Sequence, residues 1–433
     1  MARPDGGTAS GFFGDPDQVV AALRHAIELS VRGLGRVSPN PAVGCVILDI
    51  EGHVVGEGWH ARAGGAHAEV AAIAAAHERV FGPGDPEVPG FLTGCTAVVT
   101  LEPCPHTGRT GPCTQALLDA GISRVIYAVA DPSHGGGAEV LRTAGIEVHG
   151  PGSALVPDAF AAEAASVNEA WLTAVRTSRP HVTWKFAATL DGRSAAADGT
   201  SRWITGEQAR ADVHRLRDSV DAVLIGARTQ RTDDPQLTVR PAPPDGRQPL
   251  RVVLDPSGAT ASGARVLDDA APTLLVIGPD TPTPDLPGHV EIARAPTAPP
   301  PAELRSESGL ERTTTWPDRG HEQDLTGPGE GRSDHRYLDL AAVLDLLYHR
   351  GFRSVLLEGG PRLAGAFLAA GLVDQVIAYL APALLGAGPA ALADAGVATI
   401  DAAHRLEPVD VTFLGPDIRI TARPIPLPES LQE

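Results

Sequence analysis

Two hydrophobic periods alternate along this chain, one helical and one strand-like, and together they predict a layered α/β protein. After Asp15 and Pro16, the residues Val19, Val20, Leu23, Ile27 and Leu29 recur on one side of a helix; residues 1–14 before it are polar and glycine-rich and read as a frayed tail. Apolar runs at 43–48 and 53–58 flank a turn at 49–52 and predict paired strands. An alanine-rich helix is expected at 67–77, a strand at 96–101, a helix at 113–120 stopped by Gly121, and a strand at 125–130. Residues 141–148 read as a helix end, a glycine stop and a closing strand, which completes an α/β domain over 15–150. A single helical run at 158–176 falls in a connecting segment, 151–180. A second series then occupies 181–425, with strands expected at 182–188, 222–226, 250–254, 273–277, 354–357, 375–380, 411–414 and 418–422. Its helices are expected at 207–216, 338–348 and 363–370. Residues 295–336 carry Pro, Gly, Ser and charge without an apolar period, and predict a solvated or disordered insertion. No internal repeat is visible.

Charge and composition narrow the function. The 433 residues include 35 basic and 53 acidic side chains, a net charge of −18. Such a chain is a poor non-specific binder of nucleic acid or of anionic membranes. A small-molecule partner is expected instead, and a local basic pocket for a phosphorylated compound remains compatible with the overall sign. The four cysteines are too few for a disulfide framework. Cys45 and Cys95 lie in apolar runs and read as buried thiols of strands. There is neither a signal-peptide pattern at the start nor an unbroken apolar run of membrane-spanning length, so a cytoplasmic protein is expected. A homo-oligomer is the expected assembly.

The remaining cysteines carry chemistry. Cys104 and Cys113 belong to the stretch Thr100-Leu101-Glu102-Pro103-Cys104-Pro105-His106, which runs on through Arg109 to Pro112-Cys113. Upstream stands His67-Ala68-Glu69. One imidazole and two thiolates suit zinc with a fourth position open to water. A carboxylate two residues from the histidine can move protons to and from that water. His-x-Glu followed by Pro-Cys-x-x-Cys is a signature of zinc deaminases of nucleobases. Here the first half matches, and the second has eight residues between the cysteines. A zinc that only braces the fold, or core thiols beside a helix-capping His and Glu, are the alternatives.

With Pro39-Asn40-Pro41-Ala42-Val43-Gly44-Cys45 and Gly56-Glu57-Gly58-Trp59-His60, these stretches resemble the bifunctional deaminase–reductase family of riboflavin biosynthesis. Its two cysteine ligands have that same long spacing, unlike those of general cytidine and guanine deaminases. The resemblance implies a cytidine-deaminase-like three-layer domain with His67, Cys104 and Cys113 on zinc and Glu69 as the proton carrier. It places Asn40, His60, His106 and Arg109 around the substrate. The chain departs from the family after Asp131-Pro132, where Ser133-His134-Gly135-Gly136-Gly137 replaces the usual loop.

The resemblance continues through Trp184-Lys185-Phe186-Ala187, Ser201-Arg202-Trp203-Ile204-Thr205, Asp233-Asp234-Pro235-Gln236-Leu237 and Leu357-Glu358-Gly359-Gly360-Pro361. It implies a dihydrofolate-reductase-like domain that uses NADPH. Cofactor contacts would be Ala187, Trp203, Thr229, Asp233, and Gly360, Pro361, Arg362, Leu363, Ala364, Gly365 and Ala366. Substrate contacts would be Ser201, Arg217, Leu237, Arg240 and Glu358; Lys185 and Asp191 match the family without an assigned role. On physical grounds, a strand running through Gly359-Gly360 into a helix offers backbone N–H groups to phosphate, and Arg217 and Arg240 are candidate forked phosphate donors. The implied activity is deamination of 2,5-diamino-6-ribosylamino-pyrimidinone 5′-phosphate followed by reduction of its ribosyl group to ribityl. A deaminase of another base or of tRNA with a degenerate reductase partner, and a zinc-stabilised scaffold with silent sites, are the competing expectations.

Overall fold

The computed structural model describes residues 16–86, 88–107, 111–298 and 337–425. Arg109 and most of the expected insertion lie outside the described residues. The chain divides into two compact units, Met1–His181 with Arg350–Ser354, and Val182–His349 with Val355–Glu433. Among the described residues no helix is long and apolar enough to cross a membrane.

The first unit runs α1 (Pro16–Val31), β1 (Gly44–Leu48), β2 (Val54–Trp59), α2 (Ala68–Phe81), β3 (Thr96–Leu101), α3 (Cys113–Ala120), β4 (Arg124–Val129), α4 (Gly137–Thr143), β5 (Glu147–His149), α5 (Asp158–Val167) and α6 (Glu169–Thr177). Its sheet has the order β2-β1-β3-β4-β5. β1 is antiparallel to both β2 and β3, and β3, β4 and β5 are parallel. Side chains alternate across a strand, so each strand feeds two cores. Val46, Leu48, Val98 and Ile126 pack with Leu23 and Ile27 of α1 and Ala164 of α5. Cys45, Ile47, Ala97, Val99 and Val125 pack with α2, with Leu117 of α3 and with Trp171 of α6. Helices cover both faces, which makes three layers. The helical run expected at 158–176 is two helices meeting at Asn168, because α5 serves one core and α6 the other. The expected connector is thus part of the first unit. Cys45 is buried in β1 as expected, while Cys95 is buried one residue before β3.

One close approach positions the candidate chemistry. A Cβ on Gly56 would lie 2.3 Å from the Ala72 carbonyl oxygen, and one on Gly58 would lie 2.5 Å from the Ala72 nitrogen. Glycine in β2 and alanine in α2 therefore let helix backbone lie directly on strand backbone. This fixes where α2 begins, and α2 begins at the His67-Ala68-Glu69 motif.

The second unit contains β6 (His181–Thr189), α7 (Glu207–Ser219), β7 (Ala222–Gly226), α8 (Ala227–Asp233), β8 (Leu250–Leu254), β9 (Thr273–Ile277), β10 (Glu291–Arg294), β11 (Thr297–Ala298), β12 (Tyr337–Leu338), α9 (Leu340–His349), β13 (Ser354–Leu357), α10 (Pro361–Ala369), β14 (Gln375–Ala381), β15 (Leu406–Leu414) and β16 (Asp417–Pro424). The nine-stranded sheet has the order β10-β9-β8-β7-β13-β6-β14-β16-β15. β7, β8 and β9 are buried along almost their whole length, and their sequences are accordingly near-continuous apolar runs. The β14-β16-β15 edge is antiparallel. Structure and expectation differ at several places: β10 was not expected, and β15 begins at Leu406 where 411 was expected. Ala295 is buried, and β11 pairs antiparallel with β12, so ordered structure extends past the expected start of the insertion at 295. α8, Ala-Arg-Thr-Gln-Arg-Thr-Asp, has no apolar stripe and was not expected.

Candidate zinc centre and reductase cleft

His67 is the extended residue that caps α2, and Cys113 is the first residue of α3. Cys104 lies in the turn after β3. That turn is tied to α3 by the Thr114 N–H donating to the Cys104 carbonyl at 3.2 Å, while the Cys113 N–H points at Cys104 Sγ from 3.5 Å. A helix N-terminus aimed at sulfur favours thiolate. His67 Nδ1 lies 3.1 Å from Cys113 Sγ and 3.7 Å from Cys104 Sγ, and the two sulfurs are 3.4 Å apart. Tetrahedral zinc, with bonds of about 2.1 Å to nitrogen and 2.3 Å to sulfur, sets such donors about 3.6–3.8 Å apart. The trio already spans nearly that geometry, so the residues fit the metal. The hydrogen bond between the two thiols lowers the Cys104 pKa, and the same bond together with burial raises that of Cys113.

Glu69 is 3% exposed. Burial raises its pKa, and the neighbouring Cys104 adds to the rise. A carboxyl so placed exchanges protons more readily near neutral pH than an exposed one. His60 is buried, and its ring meets the His67 ring edge-on with centroids 5.2 Å apart. Its Nδ1 is 2.9 Å from the Ala66 carbonyl and its Nε2 is 3.2 Å from the Asn40 amide nitrogen. Burial depresses the His60 pKa. A neutral ring that donates from Nδ1 and accepts at Nε2 satisfies both contacts. Asn40 and His60 thus come together beside the metal ligands.

His106 is exposed after the turn, and its ring meets the His134 ring at a tilt of 31° with centroids 4.2 Å apart. His134 belongs to the loop at 131–138, so that loop is folded onto His106. Glu102 holds it there. Its carboxylate accepts from the N–H groups of Asp131 at 3.3 Å, Gly136 at 3.1 Å and Ala138 at 2.9 Å. Neither Glu102 nor His134 was singled out from sequence. Glu102 lay inside the Glu-Pro-Cys turn, and its binding of a loop far along the chain left no local signal.

In the second unit Glu358 ends the line of β13 and is the centre of a buried charge cluster. Arg217, from α7, grips it with Nε at 2.6 Å and Nη2 at 3.0 Å, and Lys185 Nζ, from β6, stands 3.9 Å away. Burial would raise the Glu358 pKa, but Arg217 and Lys185 outweigh it and hold it at about 2. Arg217 also donates from Nη1 to the Thr238 carbonyl at 3.1 Å. The guanidinium expected as a free phosphate fork therefore has its carboxylate-gripping edge occupied. Beside it opens a cleft of about 170 Å³ lined by Lys185, Ala187, Arg210, His214, Arg217 and Arg240. Arg240 is the exposed cation of this group. Leu237 turns through φ +58°, and its side chain goes into the core.

The expected cofactor contacts divide. Thr229 and Gly360 meet, the Gly360 N–H donating to Thr229 Oγ1 at 2.9 Å, so this N–H is engaged at the start of α10. Ala364 is fully buried, and a Cβ on Gly365 would lie 2.0 Å from the Asp394 carbonyl oxygen. Ala364 and Gly365 thus pack α10 against its neighbours. Pro361, Leu363 and Ala366 are partly exposed, and Arg362 is exposed. Ser201 and Trp203 are exposed, with the Arg210 guanidinium 4.2 Å over the Trp203 ring. Asp233, at the end of α8, is exposed.

Fold and site define a zinc-binding deaminase unit carried in one chain with a reductase unit. Residues 17–129 match the cytidine and deoxycytidylate deaminase zinc-binding region, and residues 180–420 match the RibD C-terminal domain. The riboflavin biosynthesis protein RibD of Mycobacterium tuberculosis is 39% identical over 406 residues, covering 92% of this chain and 96% of its own. That of Escherichia coli is 35% identical over 413 residues, with the same coverage. The crystal structure of a diaminohydroxyphosphoribosylaminopyrimidine deaminase/5-amino-6-(5-phosphoribosylamino)uracil reductase from Thermotoga maritima superposes with a TM-score of 0.75 at 32% identity, covering 95% of this chain and 99% of that one. The chain belongs to the RibD family, the bifunctional deaminase–reductases of riboflavin biosynthesis.

Proposed function

We propose that the first unit hydrolyses the exocyclic amine of 2,5-diamino-6-ribosylamino-pyrimidinone 5′-phosphate, and that the second reduces the product's ribosyl group to ribityl with NADPH. The observation that carries the first half is the convergence of His67 Nδ1, Cys104 Sγ and Cys113 Sγ next to buried Glu69. Those three residues hold zinc, which when bound supplies Lewis-acid activation of water. Glu69 takes a proton from the attacking water and returns protons to the ring nitrogen and the departing ammonia. Asn40, His60 and His106, with Arg109, hold the pyrimidine phosphate.

In the second unit Thr229, Asp233, Trp203, Ala187 and the outward residues of the α10 start hold NADPH, which supplies the hydride. Arg240 takes the substrate phosphate. The Glu358–Arg217–Lys185 cluster sits under the ribose and orders its hydroxyls, with Ser201 and the Leu237 backbone at the rim. The partner is this small molecule and neither nucleic acid nor membrane, a reading that the net charge of −18 supports, and the enzyme works as a homo-oligomer in the cytoplasm.

The test is incubation of the zinc-loaded protein with the diaminopyrimidine phosphate, with and without NADPH, and product identification by mass. Ammonia release without NADPH, and the ribityl product with it, are expected. In Glu69→Gln, zinc content stays at the parent level, ammonia release is lost, and reduction of pre-deaminated substrate persists. Full deamination by that variant would sink the role given to Glu69.

A further inference from the structure

Asn168 stands where α5 ends and α6 begins, and it is 3% exposed. Its side chain reaches back across 126 positions to pair with one residue of the loop before β1. The Ala42 N–H donates to Asn168 Oδ1 at 2.8 Å, and Asn168 Nδ2 donates to the Ala42 carbonyl at 2.7 Å. Ala42 is itself 2% exposed, so neither of its backbone groups has ready access to water. A side-chain amide thus replaces a strand partner for Ala42, satisfying donor and acceptor together.

Two residues before Ala42 is Asn40, whose amide nitrogen meets His60 Nε2 at 3.2 Å. The loop is held a second time just after Ala42, where the His60 N–H donates to the Val43 carbonyl at 2.9 Å. Between Ala42 and Asn40 stands only Pro41, whose φ is restricted by its ring. A displacement of Ala42 is therefore carried to Asn40 with little to absorb it. Residues 130–179, which contain Asn168, lie outside both matched family regions.

We propose that Asn168 is a positioning residue of the deaminase site: it holds Ala42 so that Asn40 meets His60 and the pyrimidine in register. This rests on the reading of Asn40 as a substrate contact. The helical segment after the deaminase core is then a working part of that site and not a tether.

The experiment is steady-state deamination of the diaminopyrimidine phosphate by the full-length zinc-loaded chain. Asn168→Asp keeps the shape and the bond from the Ala42 N–H but sets a carboxylate against the Ala42 carbonyl; Asn168→Ala removes both bonds. Each is expected to raise KM roughly tenfold to a hundredfold, the scale of a misplaced substrate contact, with a smaller change in kcat. Zinc content and reduction of the pre-deaminated substrate stay at the parent level. In an Asn40→Ala background, Asn168→Asp is expected to add less than about a twofold change, because residues that act as one unit are not additive. If Asn168→Ala does not fold, Asn168→Asp carries the test.

A parent KM in Asn168→Asp, a parallel fall in zinc, or effects of Asn40→Ala and Asn168→Asp that multiply in full would each overturn the inference alone. A neutral Asn40→Ala overturns the role of Asn40 and the inference with it. Absence of deamination in the parent chain overturns the functional reading, and this inference falls with it.

Discussion

Glu358→Gln is the most informative perturbation of the second unit, because it removes one charge and almost no volume. In the parent, the Glu358 carboxylate is enclosed with Arg217, whose side chain is 11% exposed, and Lys185, whose side chain is 16% exposed. A carboxyl brought from an ordinary 4.5 to about 2 gains about 3 kcal/mol at neutral pH, at about 1.4 kcal/mol per pKa unit. Removing one partner of a buried pair costs about 3–5 kcal/mol, because the other charge stays behind without it. The two routes agree on scale. For domains of roughly this size each kcal/mol moves the melting temperature by about 2–4 °C, so a fall of roughly 6–20 °C is expected for about 3–5 kcal/mol.

The sign against pH is also determined. The folded pKa is depressed, so this contribution is complete above pH 4.5 and is lost as pH falls from 4.5 towards about 2. The assay is thermal inactivation at neutral pH, with reductase turnover followed at permissive temperature and deaminase turnover as the internal reference. Reductase activity of the variant should disappear at the lower temperature while ammonia release survives. Arg217→Met in the Glu358→Gln background should recover part of the loss, since it withdraws the stranded cation. A variant that inactivates within about 1 °C of the parent would show that the cluster is solvated and contributes nothing.

Two further perturbations address the first unit. Gly58→Val forces a side chain to within 2.5 Å of the Ala72 nitrogen and 2.7 Å of Ala71 Cβ, so α2 must lift from β2 at a cost of about 1–3 kcal/mol; metal analysis should show reduced zinc, and a full complement would mean that this contact does not set the ligand geometry. Glu102→Ala releases three backbone donors of the 131–138 loop, each bond to the charged acceptor being worth about 1.5–3 kcal/mol; hydrogen exchange at Gly136 and Ala138 should accelerate strongly with zinc retained, and unchanged protection would show that the loop is held by something else.

What the sequence made legible follows from the range over which each feature is determined. The central strands β7, β8 and β9 were visible because buried strands must be apolar throughout, whereas β10, half-exposed and four residues long, gave no such run. The zinc ligands were visible because the chemistry demands particular residue types next to helix starts, and His67 and Cys113 sit at two such starts. Less was visible where one residue serves a distant partner. Asn168 reads locally as one polar position in a helical run, yet it ends α5 and completes the backbone of Ala42. Glu102 reads as part of a turn, yet it fastens the 131–138 loop. Gly365 reads as one more glycine of a phosphate-binding turn, yet a carbonyl from a later loop occupies the space of its missing side chain. Arg217 shows the same limit in charge: alone it reads as a donor for phosphate, and only the fold brings Glu358 to its forked edge. What this cleft can offer a ligand therefore depends on which donors remain unspent after folding, and among the cations that line it Arg240 is the exposed one.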